Sequence, residues 1–147
     1  MKSFSFPFEK VTKVTGQKLK IVETKLHNVM AEISSKNREL YAYLNALNKT
    51  KSELKEILIG SLDIDKIILY SIAISNTEKI LEKILKELKE LEKEKEKIIH
   101  EFMRLNSEKK ALEKLKDKLW SKYLLDYSKY ENLESSDTSY FRYINKR

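Results

Sequence analysis

The sequence predicts an all-α fold, a long two-helix antiparallel coiled-coil hairpin with unequal arms, and three observations carry that prediction. Leu19, Leu26, Ile33, Leu40, Leu47 and Leu54 fall seven apart, with Val22, Val29, Lys36, Tyr43, Thr50 and Ile57 interleaved at the three/four spacing of a coiled-coil seam. Downstream, Ile67, Ile74, Leu81, Leu88 and Phe102 form one column, and Ile84, Leu91, Ile98, Leu105, Leu112 and Leu119 form another. Between the two ladders stands Gly60, the only glycine in the middle of the chain. A connection this short makes the two helices antiparallel neighbours.

The first helix is expected to begin near Ser5, whose hydroxyl can cap the first turn, and Pro7 is tolerated there because its missing N–H would be unpaired anyway. It runs to about Ile57. Gly16 lies inside it and costs roughly 1 kcal/mol against alanine. Residues 58–63 make the turn, with Gly60 free to take a positive φ and Asp63 placed to cap the second helix. That helix continues to about Leu133, roughly 105 Å against about 75 Å for the first at 1.5 Å per residue. Pairing residues equidistant from Gly60 brings Leu47 near Ile74, Leu19 near Phe102 and Phe6 near Leu115. Past Leu115 the second helix has no partner in its own chain, yet it carries Leu119, Trp120, Tyr123, Leu124, Leu125, Tyr127 and Tyr130. Such a surface is too large to leave bare. Residues 1–133 thus form the hairpin, and residues 134–147 a flexible polar and aromatic tail. Tyr140, Phe141 and Tyr143 in that tail either dock onto a partner or fold back on the N-terminal phenylalanines.

Composition narrows the function. With 36% charged residues, two glycines, one proline and no cysteine, the chain has little material for loops, where catalytic groups concentrate. His27 and His100 fall on outward positions, and neither has the second histidine at i+4 that a helical metal site needs. No glycine-rich phosphate loop, nucleophile elbow or Ser, His and Asp constellation can be assembled. The expectation is a protein that is not an enzyme, with no catalytic residue, cofactor or metal. A net charge of +7 raises nucleic acid as a partner, but across residues 83–97 lysines alternate with Glu87, Glu90, Glu92, Glu94 and Glu96, a solvated face laced with i, i+4 pairs. No nucleic-acid partner is expected. The opening Phe4, Phe6 and Phe8 lie in a stretch too short for a signal-peptide apolar region, and the longest apolar run, residues 67–74, is less than half of the roughly 20 residues that span a bilayer. A cytoplasmic location is expected.

Two places call for partners. Near the hinge, Tyr41 and Leu44 on the first helix and Ile68, Leu69, Ile72 and Ala73 on the second are apolar off the seam, as a docking patch for a larger partner, a hydrophobic wrap around the turn or a surface for self-association. At the far end, Lys114, Lys116, Lys118 and Lys122 stand among the aromatic residues, a combination suited to an apolar, acid-rimmed hole. The seam itself turns polar there, with Lys95, Lys109 and Lys116 in one column; lysine stems pack along such a seam or leave room for a partner.

The aromatic opening Phe6-Pro7-Phe8-Glu9-Lys10-Val11, the turn near the fortieth percentile of the chain, Tyr70 a few residues into the second helix, and the block Lys109-Lys110-Ala111-Leu112-Glu113-Lys114-Leu115-Lys116 resemble the flagellar type III export stalk proteins of the FliJ family and their virulence-secretion counterparts. The resemblance covers nearly the whole chain; Glu134-Ser135-Ser136-Asp137 replaces the more continuously charged ending of the family. It implies a stalk similar to the γ subunit of rotary ATP synthases. On that likeness its paired chain ends would enter the hexameric flagellar export ATPase, and it would link that ring to the membrane export gate while cycling export chaperones. On that likeness, Phe6, Phe8, Lys10 and Val11, with Lys110, Leu112, Leu115, Lys116, Lys118, Leu119, Trp120, Lys122, Tyr123 and Tyr127, would face the ATPase. Tyr41, Leu44, Ile68, Leu69, Tyr70, Ile72 and Ala73 would face the cytoplasmic domain of the export gate. The protein would be a monomer when alone, located in the cytoplasm at the flagellar base. The competing expectation is a prefoldin-like holdase or a self-associating coiled-coil spacer, for which residues 57–70 are β-branched enough to supply hinge strands.

Overall fold

A computed structural model of the protein describes residues 2–60 and 63–145, with side chains as far as 138. Two helices, α1 (Glu9–Gly60) and α2 (Ile64–Asn145), pack against each other as a helical hairpin, and there is no strand among the described residues. The hinge strands that a prefoldin-like reading needs are therefore absent among the described residues: residues 57–60 end α1 and residues 64–70 open α2. The chain divides into a hinge unit, Val22–Glu101, and a terminal unit, Met1–Ile21 with Phe102–Arg147.

Three boundaries differ from the sequence expectation and one agrees. Ser5 does not cap α1. Phe6 precedes Pro7, and the residue before a proline is pushed out of the helical region, so the helix cannot start there. Residues 7 and 8 instead make a turn closed by the Glu9 N–H on the Phe6 carbonyl (3.2 Å), and the Thr12 N–H on the Phe8 carbonyl (2.9 Å) is the first α-type bond. Gly60 ends α1 without a positive φ, because glycine permits that conformation without requiring it. Residues 61 and 62 of the expected turn lie outside the described residues. Asp63 does cap α2: its carboxylate accepts from the Lys66 N–H (3.4 Å) and its carbonyl from Ile67 (3.0 Å). At the other end α2 runs on to Asn145 rather than stopping near Leu133. Residues 134–145 contain neither Gly nor Pro, and extending an existing helix gains a hydrogen bond per residue without a new nucleus. The side chains of Tyr140, Phe141 and Tyr143 lie outside the described ones.

The heptad columns form the core. In the hinge unit Val22, Val29, Leu47, Leu81, Ile84 and Ile98 are buried; in the terminal unit Phe6, Leu19 and Leu105 are. Tyr43, given to the seam by its spacing, remains 37% exposed. Thr15 is buried one heptad ahead of Val22, and Tyr70 and Thr77 continue the Ile84 column toward the hinge, so polar side chains extend seams that leucine and isoleucine define. Lys36 occupies a seam position and reaches across to Glu87 at 2.7 Å, with Glu39 on its own helix at 3.3 Å. Those bonds raise the lysine pKa, chiefly through Glu87, and the same bond lowers that of Glu87. Both side chains are about one-third exposed, so the pair sets register more than it adds stability.

Gly16 sits inside α1 with open space where a Cβ would project. Gly16→Ala is expected to raise stability by about 0.5–1 kcal/mol, read as a higher midpoint of thermal unfolding followed by circular dichroism. An unchanged or lower midpoint would show that this turn is not helical in solution.

Candidate functional site

In the terminal unit α2 supplies a ladder of rings on one face. Trp120 and Tyr123 stack at 5.6 Å with 20° between planes, and Tyr123 and Tyr127 at 6.2 Å with 28°. The spacing of three and four residues puts them on successive turns. The sequence reading left all of this face bare beyond Leu115. Instead, the non-helical residues ahead of α1 cover its beginning, with Phe4 against Trp120 at 5.0 Å and against Tyr123 at 5.6 Å. The physical reason is the rise per residue: an extended chain advances about 3.3 Å where a helix advances 1.5 Å, so a few residues outrun the one-to-one register.

From Leu124 to Leu133 the apolar side chains of the helix are open. Leu124, Leu125, Tyr127, Tyr130 and Leu133 are 40–65% exposed, and Trp120 is 44% exposed even with Phe4 on it. Glu131 beside Tyr127 and Glu134 beside Tyr130 raise both phenol pKa values. Between Lys109 and Lys122 six lysines stand against Glu113 and Asp117 alone, so the approach to the aromatic end is positive.

The other residues assigned to this end divide by environment. Phe6 is buried, with Phe8 edge-on at 5.8 Å and the Lys116 ammonium 5.9 Å from its ring centroid. Lys116 also pairs with Glu9 at 3.4 Å. Both contacts tie residues 6–9 to α2. Leu112, Leu115, Leu119 and Tyr123 are half-buried along the seam, whereas Phe8, Lys10, Val11, Lys110, Lys118 and Lys122 are exposed.

In the hinge unit the apolar residues fall into two groups instead of one. Cross-helix pairs Lys51–Glu78 and Tyr70–Glu53 set the local register. That register puts Ile72 opposite residues near 52, and Tyr41 and Leu44 about ten residues farther along α1, about 15 Å at the helical rise. Near the turn, Ile68, Leu69 and Ile72 are 51–66% exposed, and they are joined by Leu58 (49%), Ile59 (79%) and Ile64 (69%). Leu58 and Ile59 fall in the expected turn and Ile64 opens α2. Their signal was present: an apolar residue beside a turn has too few neighbours to bury it. Leu69, Tyr70 and Ala73 line a groove with Thr50. Tyr70 itself is half-buried, and its hydroxyl donates to Glu53 at 3.0 Å, a bond that raises its pKa. It belongs to the seam more than to the surface.

Residues 41–80 hold five lysines and five acidic residues, so the net charge of +7 lies entirely outside the hinge. Among the described residues no group of three or more His, Cys, Asp or Glu is placed to hold a metal, and no helix is long and apolar enough to cross a membrane.

Residues 4–147 match the family model described as Flagellar FliJ protein. The chain belongs to the flagellar FliJ family. The match spans both units and takes in the aromatic opening, the hinge and the ring ladder of α2. Family membership makes the protein a component of the flagellar export apparatus, a structural and export family rather than one of known enzymes. No curated protein and no solved structure matches the chain.

Proposed function

We propose that the protein is the non-enzymatic central stalk and chaperone-escort component of the flagellar export apparatus, inserting its terminal unit into the ring of the export ATPase and presenting its hinge to the export gate. The observation that carries this reading is the open end of α2, where a lysine-rich stretch leads into Trp120, Leu124, Tyr127 and Tyr130, exposed in a family of export components. Aromatic side chains supply contact area at low entropic cost, and the lysines steer approach to an acid-rimmed hole. In this account the protein works in the cytoplasm at the flagellar base, and export chaperones are its cargo partners. Affinity capture from the native cell tests it. Recovery of the hexameric export ATPase is expected, and its loss when salt is raised fits a steered, positively charged end. Capture of a stable homohexamer without the ATPase would contradict it.

The hinge has the opposite character, apolar and neutral, which suits an obligate hydrophobic contact that salt does not weaken. Replacing Ile68 and Ile72 together by serine is expected to leave helicity unchanged while lowering affinity for the export-gate cytoplasmic domain at least about tenfold, since each removes a central apolar anchor. Loss of helicity in that variant would place these side chains in the core instead.

A further inference from the structure

Residues 2–8 precede α1 yet carry three of the five phenylalanines of the chain. Phe4 and Phe6 are two residues apart, so in an extended segment they share a side. That side faces α2: Phe6 is buried beneath the Lys116 ammonium, and Phe4 sets its ring at 73° against Trp120. Lys116, Trp120 and Tyr123 stand at i, i+4 and i+7, one face of a helix. This face therefore holds a Phe-x-Phe segment.

The attachment is made by side chains. The Phe6 carbonyl accepts the Glu9 N–H, and among the described residues no backbone hydrogen bond holds residues 2–5 to the rest of the protein. Ordering that backbone costs entropy, which the ring contacts of Phe4 must offset by themselves. Docked and released forms then lie close in free energy, and a competing segment of like chemistry shifts the balance. A competitor also has more to gain than Phe4 does, because Trp120 and Tyr127 keep 44% and 40% of their surfaces exposed along the same ladder.

We propose that the Lys116, Trp120 and Tyr123 face of α2 is a peptide-binding site, filled in the free protein by Phe4 and Phe6 and open to an extended partner segment with phenylalanines two residues apart. The proposal deepens the reading of the terminal unit as the partner-facing end and rests on it only for which protein brings that segment.

Trp120 is the only tryptophan of the chain, so its fluorescence reports this site directly. Phe4→Ala is expected to shift the emission to longer wavelength and increase acrylamide quenching, with helicity unchanged. A synthetic peptide of residues 2–8 should then bind the Phe4→Ala, Phe6→Ala protein, reversing the shift saturably and at least tenfold more tightly than it binds the unaltered protein. The same peptide with alanine for its first two phenylalanines should do nothing. If the double variant loses helicity, the titration is made on Phe4→Ala alone. Identical Trp120 emission with and without Phe4, or a peptide that shifts neither protein, would overturn the proposal. Neither arm contains the ATPase: peptide binding without ATPase stimulation would remove the stalk reading and keep the site, and the converse would remove the site and keep the stalk.

Discussion

Truncation after Leu112 is expected to abolish most of the stimulation that the full chain gives its cognate export ATPase, while the hinge unit keeps its helicity. The deletion removes Trp120, Leu124, Tyr127 and Tyr130, the exposed rings and aliphatic groups of the open helix end. Buried aromatic anchors of an interface cost about 2 kcal/mol or more each when lost, so apparent affinity should fall by at least about a hundredfold for two of them. A milder variant separates charge from contact area. Reversing Lys118 and Lys122 together to glutamate should slow association and flatten the salt dependence without touching the rings. Lys116 is left unchanged because it pairs with Glu9 and covers Phe6, so its reversal would disturb the fold. Turnover measured against protein concentration checks both variants. Full stimulation by the truncated chain would leave the aromatic end without this role.

Leu105→Ala is expected to cost about 2–4 kcal/mol, the largest effect of any single seam substitution. Leu105 is 1% exposed, less than any other core side chain. Two helices flanked by solvent can partly close over the space, which keeps the estimate below the top of the leucine-to-alanine range, about 5 kcal/mol. Against a total stability of about 5–15 kcal/mol, that lowers the unfolding midpoint by roughly 6–12 °C. Leu125→Ala, at a residue 64% exposed, should leave the midpoint within about 1 °C. Equal effects at the two positions would show that the seam has been assigned to the wrong face of α2.

The heptad ladder was legible because leucine and isoleucine repeat at seven over both arms, and burial follows that repeat from Leu19 to Leu105. Two polar members of the same columns, Thr15 and Tyr70, were not legible as core. Thr15 and Tyr70 resemble surface residues by type, and only the fold supplies the environment that covers Thr15 and the Glu53 carboxylate that bonds the Tyr70 hydroxyl. At the start of α1 the capping preference of Ser5 is overridden by the restriction that Pro7 puts on Phe6.

The two interaction surfaces were legible as surplus apolar residues, but their layout was not. Tyr41 and Ile72 looked like one patch on composition, and the register separates them. Phe4 precedes the helical periodicity and has no place in the heptad columns, and the greater rise of non-helical chain carries it to Trp120. In each case the missing information is a distance between segments far apart in sequence, which periodicity within one helix does not contain.

Site-specific photo-crosslinking tests the central claim, that the terminal unit and not the hinge enters the export ATPase. A benzophenone amino acid is placed at Tyr127 in one protein and at Ile59 in another, 40% and 79% exposed respectively, and each is mixed with the assembled ATPase and irradiated. The account predicts a covalent adduct with the ATPase from Tyr127, mapped to the wall of the ring's central hole, and none from Ile59. An adduct from Ile59 with none from Tyr127 would contradict it.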